Sequence, residues 1–579
     1  MIKNSKCWKL KGNKMKIQNE ICRNEQLYNS FLNPSLSNLG EFEKQIKKII
    51  ELIREQLTLS NIRIERTERK QYDEVVGNSF IPDKYNTDDE IIEKLGFYFQ
   101  GLVKWNSPGV MINVNPPSML LPIAANACCS LFNPNLAMDV PAGNLAYAEL
   151  EVIKMLSDLV GWDYKKTGGL FTFGGKGTVL YAIRIGLNEC VKNAKYDGLR
   201  NEKIKVFSTS QGHPCHYENC EWLGIGKNNC IRLPLTDEGT IDMEIAEEQM
   251  EKAIIDGNKI ACIIVNGGST LYTTIDQIDK MIDLRDRLVK KYNLPYVPHV
   301  HVDSVIGWAW LMFKEYDFQK NPLGFSDMAR KELNYVYNAI RNIEKADSFG
   351  ADFHKTGFTP YLSSVFIIKD KRKLFELGEE EQADLHELEF GLYAPFGYSL
   401  ESSRAATSAL SAWISLKQLG KEGYQKLIGT LVEAGCDMRN YFENAPYSRC
   451  ANITAHGFAA LAMLYPCELQ EKKWRALNEF TEEELLSIAE YNHKFYLYML
   501  DLQSKNKIDF ALDYVSKHTT VGNIKIGVIK LYPMSPFCNS QFLSRFYIKF
   551  EDLLSKFNEI YDRLKLSDSP YRPKPFVTR

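Results

Sequence analysis

The sequence predicts an α/β protein, with a large domain on a mainly parallel sheet and a smaller C-terminal α+β domain. Three observations predict it. Short apolar runs alternate with amphipathic helical patterns through the middle of the chain, as when crossovers cover both faces of a parallel sheet. Beyond about residue 400 the patterning turns mostly helical. The length, 579 residues, suits two or three domains and leaves ample chain for a large core.

The elements follow in order. Residues 1–40 are polar and Asn/Lys-rich and are expected to be mobile or loosely docked. Residues 41–57 read as a helix, with Phe42, Ile46, Ile49, Ile50 and Ile53 on one face. A charged stretch over 63–89 is broken by Pro82, and from Gly101 glycine, proline and asparagine punctuate apolar runs. This divides the chain into an N-terminal helical segment (1–100), a large α/β domain (101–400) and a small α+β domain (401–579). Within the large domain, 203–207, 260–265, 297–302 and 361–368 read as strands. Residues 275–291 read as a helix carrying Ile278, Ile282 and Leu288 at helical spacing. In the last part, 402–419, 424–443, 482–502 and 541–565 read as helices and 526–531 as a strand.

Composition excludes several classes. Lys plus Arg number 71 against 73 Asp plus Glu, a net charge of −2, without the basic excess of a nucleic-acid binder. Hydrophobic residues at 45% and charged residues at 25% are globular values, not those of a disordered chain. The most apolar run, 119–131, is too short to span a bilayer and contains Pro122 and Asn126. The lysine-rich start has no apolar stretch of the kind a signal peptide needs. The 13 cysteines are an odd number, with no Cys-x-x-Cys pairs of structural zinc type. We expect a soluble cytoplasmic protein in a reducing compartment, with no nucleic-acid or membrane partner.

Four segments carry chemistry. Phe171-Thr-Phe-Gly-Gly-Lys-Gly-Thr178 leads into a helical pattern; glycines before a helix leave backbone N–H groups free at its positive end, which suits a phosphate. Its spacing is neither Walker A nor a dinucleotide fingerprint. Val265-Asn-Gly-Gly-Ser-Thr270 closes a buried strand, where an α/β sheet faces its ligand crevice. His299-Val-His-Val-Asp303 places three ligand-type residues on one strand face, open either to a metal or to an Asp pairing with a protonated heterocycle nitrogen. Finally, Ala346-Asp-Ser-Phe-Gly-Ala-Asp-Phe-His354-Lys355 precedes an apolar strand. A desolvated lysine there is expected to have a lowered pKa and to attack carbonyls.

In this order the segments resemble the pyridoxal-phosphate (PLP) dependent group II amino-acid decarboxylases, from about Asn115 to about Leu427. Ser403-Arg-Ala-Ala-Thr407 and Gly420-Lys-Glu-Gly-Tyr424 extend the resemblance. Gly357-Phe-Thr-Pro-Tyr361, directly after Lys355-Thr356, has the flavour of the bacterial tyrosine decarboxylases. The resemblance implies the aspartate-aminotransferase fold (fold type I), with a seven-stranded mainly parallel sheet, and a homodimer to which residues 41–100 contribute an arm. It implies PLP as cofactor and no metal. Lys355 would bind it covalently, Asp303 would pair with the pyridine nitrogen, and Thr270 would lie near the phenolic oxygen. Gly175, Lys176, Gly177, Ser348 and His354 would hold the phosphate. Ungapped spacing back from Leu223-Gly-Ile-Gly226 selects His213 over His216 as the ring-stacking residue. A Cys/His metal cluster of His213, Cys215, His216 and Cys220 competes with that reading. The proton donor would come from 377–398, with His386, Tyr393 and Tyr398 as candidates, Tyr393 being the one chosen. Arg404 would meet a substrate carboxylate or pair within the fold. Lys176 in the cup, Ser304 and Val305 after the Asp, and Trp308 in place of a glycine depart from the family pattern.

The expected activity is decarboxylation of an L-amino acid, aromatic and tyrosine-like, to an amine and CO2. The alternatives are an acidic amino acid, an aldehyde synthase or carbon–carbon lyase, and a degenerate scaffold.

Overall fold

The computed structural model describes residues 30–57, 62–64, 72–84, 86–236, 238–378 and 393–564. The chain forms two compact units, 1–104 and 105–579. In the first, helix Leu39–Glu55 lies against helix Asp88–Phe99, with Lys48 paired to Asp89. A capping box, Thr87 with Glu90, starts the second helix.

The second unit holds two sheets. Its strands in chain order are β1 (Val110–Met111), β2 (Gly168–Thr172), β3 (Ile204–Thr209), β4 (Cys230–Leu233), β5 (Lys259–Asn266) and β6 (His299–Asp303). They continue with β7 (Ser348–Asp352), β8 (Ser364–Ile368), β9 (Ser448–Cys450), β10 (Ala460–Leu464), β11 (Ala511–Val521) and β12 (Ile524–Leu531). The large sheet has seven strands in the order β2-β8-β7-β6-β5-β3-β4. Strands β3 to β7 run parallel, and β8 is antiparallel to both its neighbours. This is the mainly parallel α/β architecture the sequence predicts.

Alternate residues enter different cores, because strand side chains alternate faces. Ile263, Val265, Val300 and Val302 join one cluster; Cys262 and Ile264 join the other. The helices that position the site are α1 (Leu145–Val160), α2 (Gly175–Cys190), α3 (Cys215–Trp222), α4 (Ile278–Lys291) and α5 (Ala406–Asn444). Helix α5 is interrupted at Gly420, whose φ of 56° and ψ of −174° are not helical. This break separates the two helices expected at 402–419 and 424–443.

The second sheet, in the order β1-β11-β12-β10-β9, packs an aromatic core of Phe495, Phe546, Phe550 and Phe557 from helices Glu482–Ser504 and Ser540–Ile560. The expected strand 526–531 lies within β12. Its long partner β11 was not expected.

Trp308 fills the core behind the Lys355 segment. It is fully buried, packs its ring on Phe353 at 4.5 Å and on Tyr424 at 5.5 Å, and its indole N–H donates to the Asp352 carbonyl at 3.4 Å. Trp308→Ala should therefore destabilise the protein by about 3–5 kcal/mol, read as a lowered urea or thermal midpoint.

Candidate active site

Parallel strands present their carboxyl ends to one crevice. Here β3 ends at Thr209, β5 at Asn266, β6 at Asp303 and β7 at Asp352. Register aligns Asn266 with Asp303, and Asp303 with Gly350. Three of these ends carry buried polar atoms without a partner among the described residues: Thr209 Oγ1, Asn266 Nδ2 and Asp303 Oδ1. Buried polar groups are normally hydrogen-bonded, so such a cluster marks a place prepared for a ligand.

Asp303 is the centre of the arrangement. His216 Nε2–H donates to its Oδ2 at 2.9 Å, and Oδ1 is the oxygen left over. Burial pushes the carboxyl's pKa up, but the His216 hydrogen bond and the nearby His216, His301 and Lys355 outweigh it. The net result lies well below the usual carboxylate range. Lys355 sits one helical turn past β7, its Nζ 2.8 Å from Asp352 Oδ2. Burial pulls this ammonium's pKa down, yet the carboxylates of Asp352 and Asp303 prevail and the net shift is upward. The expected lowering is thus corrected: desolvation acts on Lys355, and its two anionic neighbours reverse the sign.

Asp352 is held as tightly, accepting from Ser364 Oγ at 2.5 Å. His354 lies 3.5 Å from Asp352 through Nε2 and packs its ring on Tyr361 at 4.2 Å. The glycine cup abuts them: a Cβ on Gly175 would come 2.9 Å from Asp352 Oδ2. Gly174, at φ 114°, turns the chain out of β2 into α2, and no side chain caps that helix start. Such an end offers backbone N–H groups to an anion.

These features fit PLP. Asp303 Oδ1 is a buried, ionised acceptor for a ring N–H. Lys355 is a lysine beside it, and the uncapped start of α2 meets the needs of a phosphate. A sequence profile for the pyridoxal-dependent decarboxylase conserved domain matches residues 79–452. The chain belongs to this family. It is a PLP-dependent carboxy-lyase acting on an amino acid. Among curated relatives, the L-2,4-diaminobutyrate decarboxylase of Acinetobacter baumannii is 22% identical over 386 residues, 63% of this chain and 69% of that protein. An L-tyrosine decarboxylase of Enterococcus faecalis is 28% identical over 251 residues, 39% of this chain and 38% of that protein. The apo structure of mouse CSAD superposes with a TM-score of 0.72 at 16% identity, over 89% of this chain and 99% of that one. Oryza sativa TDC with PLP and tryptamine gives a TM-score of 0.71 at 14% identity, over 91% and 99%. These superpositions bear on the fold, which is the fold type I architecture.

Several expected site residues sit elsewhere in this decarboxylase. Ser348 begins β7, four residues before Asp352, so strand geometry puts it about 13 Å from the crevice end. Its hydroxyl bonds His299 Nε2 at 2.7 Å and His301 Nδ1 at 2.8 Å, so it is no phosphate ligand, and the two histidines are not arranged around a metal. Lys176 turns its ammonium to Glu218 at 2.8 Å, leaving its backbone as its part of the cup. Tyr393 donates its hydroxyl to Glu149 Oε2 at 2.5 Å, and Arg404 grips the same carboxylate with both terminal nitrogens. Arg404 also donates to the carbonyls of Phe171 and Leu136. It is a buried fold residue, and Tyr393 belongs to the same network, its hydroxyl engaged by Glu149. Tyr398 packs on Phe375 at 5.0 Å. His386 lies outside the described residues.

Thr270 is half-buried on the loop after β5. His213 is exposed, within the electrostatic reach of Asp303 and Lys355. Its neighbour His216 is fully buried, both ring nitrogens hydrogen-bonded. Cys215, His216 and Asp303 bring donor atoms within 4.8 Å of one another, whereas Cys220 is not in that group. Burial pushes the Cys215 thiol well above its ordinary value. Ser304 donates to the Gly350 carbonyl at 2.7 Å, and Trp308 lies in the core, so neither crowds the crevice. Sequence reasoning missed Asp352 and Ser208. For Asp352 the signal was available in its position three residues before Lys355, across a helical turn.

Arg404→Ala strands the Glu149 charge in the interior and should cost about 3–5 kcal/mol. Tyr393→Phe removes one hydrogen bond to that charge, costs about 1.5–3 kcal/mol and leaves PLP affinity unchanged. Chemical denaturation and cofactor titration read the two effects separately.

Proposed function

We propose that the enzyme decarboxylates an aromatic L-amino acid of tyrosine type, releasing an amine and CO2. The observation that carries the reading is Lys355, half-buried one helical turn past β7 beside Asp352, facing an ionised Asp303 with a spare oxygen. In this reading Lys355 holds the cofactor covalently and Asp303 Oδ1 accepts from its pyridine N–H. The amides of Gly175 and Lys176, with His354, hold the phosphate, and Gly177, whose N–H donates to the Gly174 carbonyl at 2.8 Å, shapes the first turn of the cup. His213 stacks on the ring from the open side, and Thr270 lies at its phenolic oxygen. When bound, PLP supplies a sink for the electron pair left as CO2 departs. Asp303 keeps that sink effective by remaining charged where water is excluded.

An aromatic substrate is supported by the Gly357-Phe-Thr-Pro-Tyr361 string, by the tyrosine decarboxylases among the relatives, and by the exposed rings of Phe173 and Tyr361 beside the cup. A second reading, an acidic amino acid, is favoured by an acidic amino acid decarboxylase of Xenopus tropicalis, 23% identical over 316 residues.

We further propose a homodimer to which residues 41–100 contribute an arm, with 1–100 as the N-terminal segment and 101–400 and 401–579 as large and small domains. Leu120, Leu121, Ile123 and Phe132 form an exposed apolar strip that a second copy would cover. A cytoplasmic setting is supported by cysteines that are all free among the described residues. Also among the described residues, no helix is long and apolar enough to cross a membrane.

The test pairs absorbance with product analysis. Wild type with PLP should show a visible band that borohydride removes and that Lys355→Ala lacks. Across an amino-acid panel, CO2 release should favour tyrosine over glutamate and aspartate by about tenfold or more in kcat/KM, with the amine as product. Preference for glutamate or aspartate would establish the second reading. Aldehyde in place of amine would replace decarboxylation with oxidative chemistry.

A further inference from the structure

We propose that His216, braced by Ser208, is a positioning residue that aims Asp303 at the cofactor nitrogen and keeps it ionised. This rests on the reading of Asp303 as the partner of that nitrogen.

Three independent features lead to it. The first is the chain of hydrogen bonds. An ionised Asp303 can only accept, so His216 Nε2 carries a proton and donates to Oδ2 at 2.9 Å. In the neutral ring Nδ1 is then the acceptor, and Ser208 Oγ lies 2.5 Å from it. Ser208 is on β3 and Asp303 on β6, so the imidazole on α3 bridges two strands that are separated in the sheet by β5.

The second is burial. Ser208 and His216 are fully buried and Asp303 is 7% exposed. A carboxylate in that setting would rotate between rotamers or take up a proton if nothing held it. With Oδ2 fixed by His216, only Oδ1 is left, and it is the oxygen without a partner.

The third is the space reserved for the ring. A Cβ at Gly212 would come 2.6 Å from His216 Nδ1 and 3.1 Å from Ser208 Oγ. The chain therefore keeps position 212 bare where the imidazole and serine meet. His213 and His216 are not rivals for one role: three residues apart, one is exposed at the crevice and the other lies beneath Asp303.

The test measures PLP affinity and the spectrum of the bound cofactor in wild type, His216→Leu, His216→Gln, Ser208→Ala and Asp303→Asn. His216→Leu should raise the PLP Kd by about ten- to a hundredfold and shift the pH profile of the visible band. His216→Gln, whose amide nitrogen can donate to the same oxygen, should recover most of both. In the Asp303→Asn background, His216→Leu should add little, because both changes act through one interaction. A wild-type Kd and band in His216→Leu would overturn the proposal, as would a full additional loss in the Asp303→Asn background. If circular dichroism shows that His216→Leu does not fold, Ser208→Ala decides. A rise in Kd of about three- to tenfold supports the brace, and an unchanged Kd overturns it. Failure of wild type itself to bind PLP would overturn the reading of Asp303, and is seen before any variant is compared.

Discussion

A negative charge held inside the protein is the constraint on which the rest of the site depends. Asp303 ends a strand buried on both faces, where an unpaired carboxylate would take up a proton. It stays ionised because His216 donates to one oxygen while the Lys355 ammonium lies near. The sheet supplies the frame. Strands β3, β5, β6 and β7 end along the same edge of the sheet, β7 running two residues further than β6, so Thr209, Asn266, Asp303 and Asp352 gather at one crevice although up to 143 residues separate them in the chain. Helix α2, starting beside Asp352, brings the uncapped amides of the glycine cup to that crevice.

Lys355 shows how strongly this field acts. Burial lowers its pKa, and yet Asp352 and Asp303 together raise it above the ordinary lysine value. Nucleophilic character at this lysine depends on weakening its contact with Asp352. Ser364 already donates to the other oxygen of Asp352, and His354 stands near the first, so that carboxylate keeps partners when the lysine leaves it.

Much of this was legible in the sequence because it rests on local pattern. Period-2 alternation in His299-Val-His-Val-Asp303 put Asp303 on a definite face, and the two helices expected at 402–419 and 424–443 are parted by the backbone break at Gly420. The glycine cup before an apolar helix, and His354-Lys355 before a strand, were readable for the same reason. What failed depended on contacts distant in sequence. Ser348 lies in the same strand as Asp352, but only the sheet register reveals that it stands at the far end, under two histidines. Tyr393 and Arg404 look like candidates for chemistry until Glu149, more than 240 residues away, is seen to engage both. His216 was set against His213 by spacing, and spacing cannot show that one faces a carboxylate and the other the crevice. Strand β11 escaped because its outer half alternates weakly and pairs at the edge of the small sheet.

The most direct test of the account is the affinity of the apoprotein for PLP against an analogue with carbon in place of the ring nitrogen, in wild type and in Asp303→Ala. If Asp303 Oδ1 is the partner prepared for that nitrogen, wild type binds PLP more tightly by about tenfold or more, and Asp303→Ala binds the two alike. Equal affinity of wild type for both compounds would contradict it.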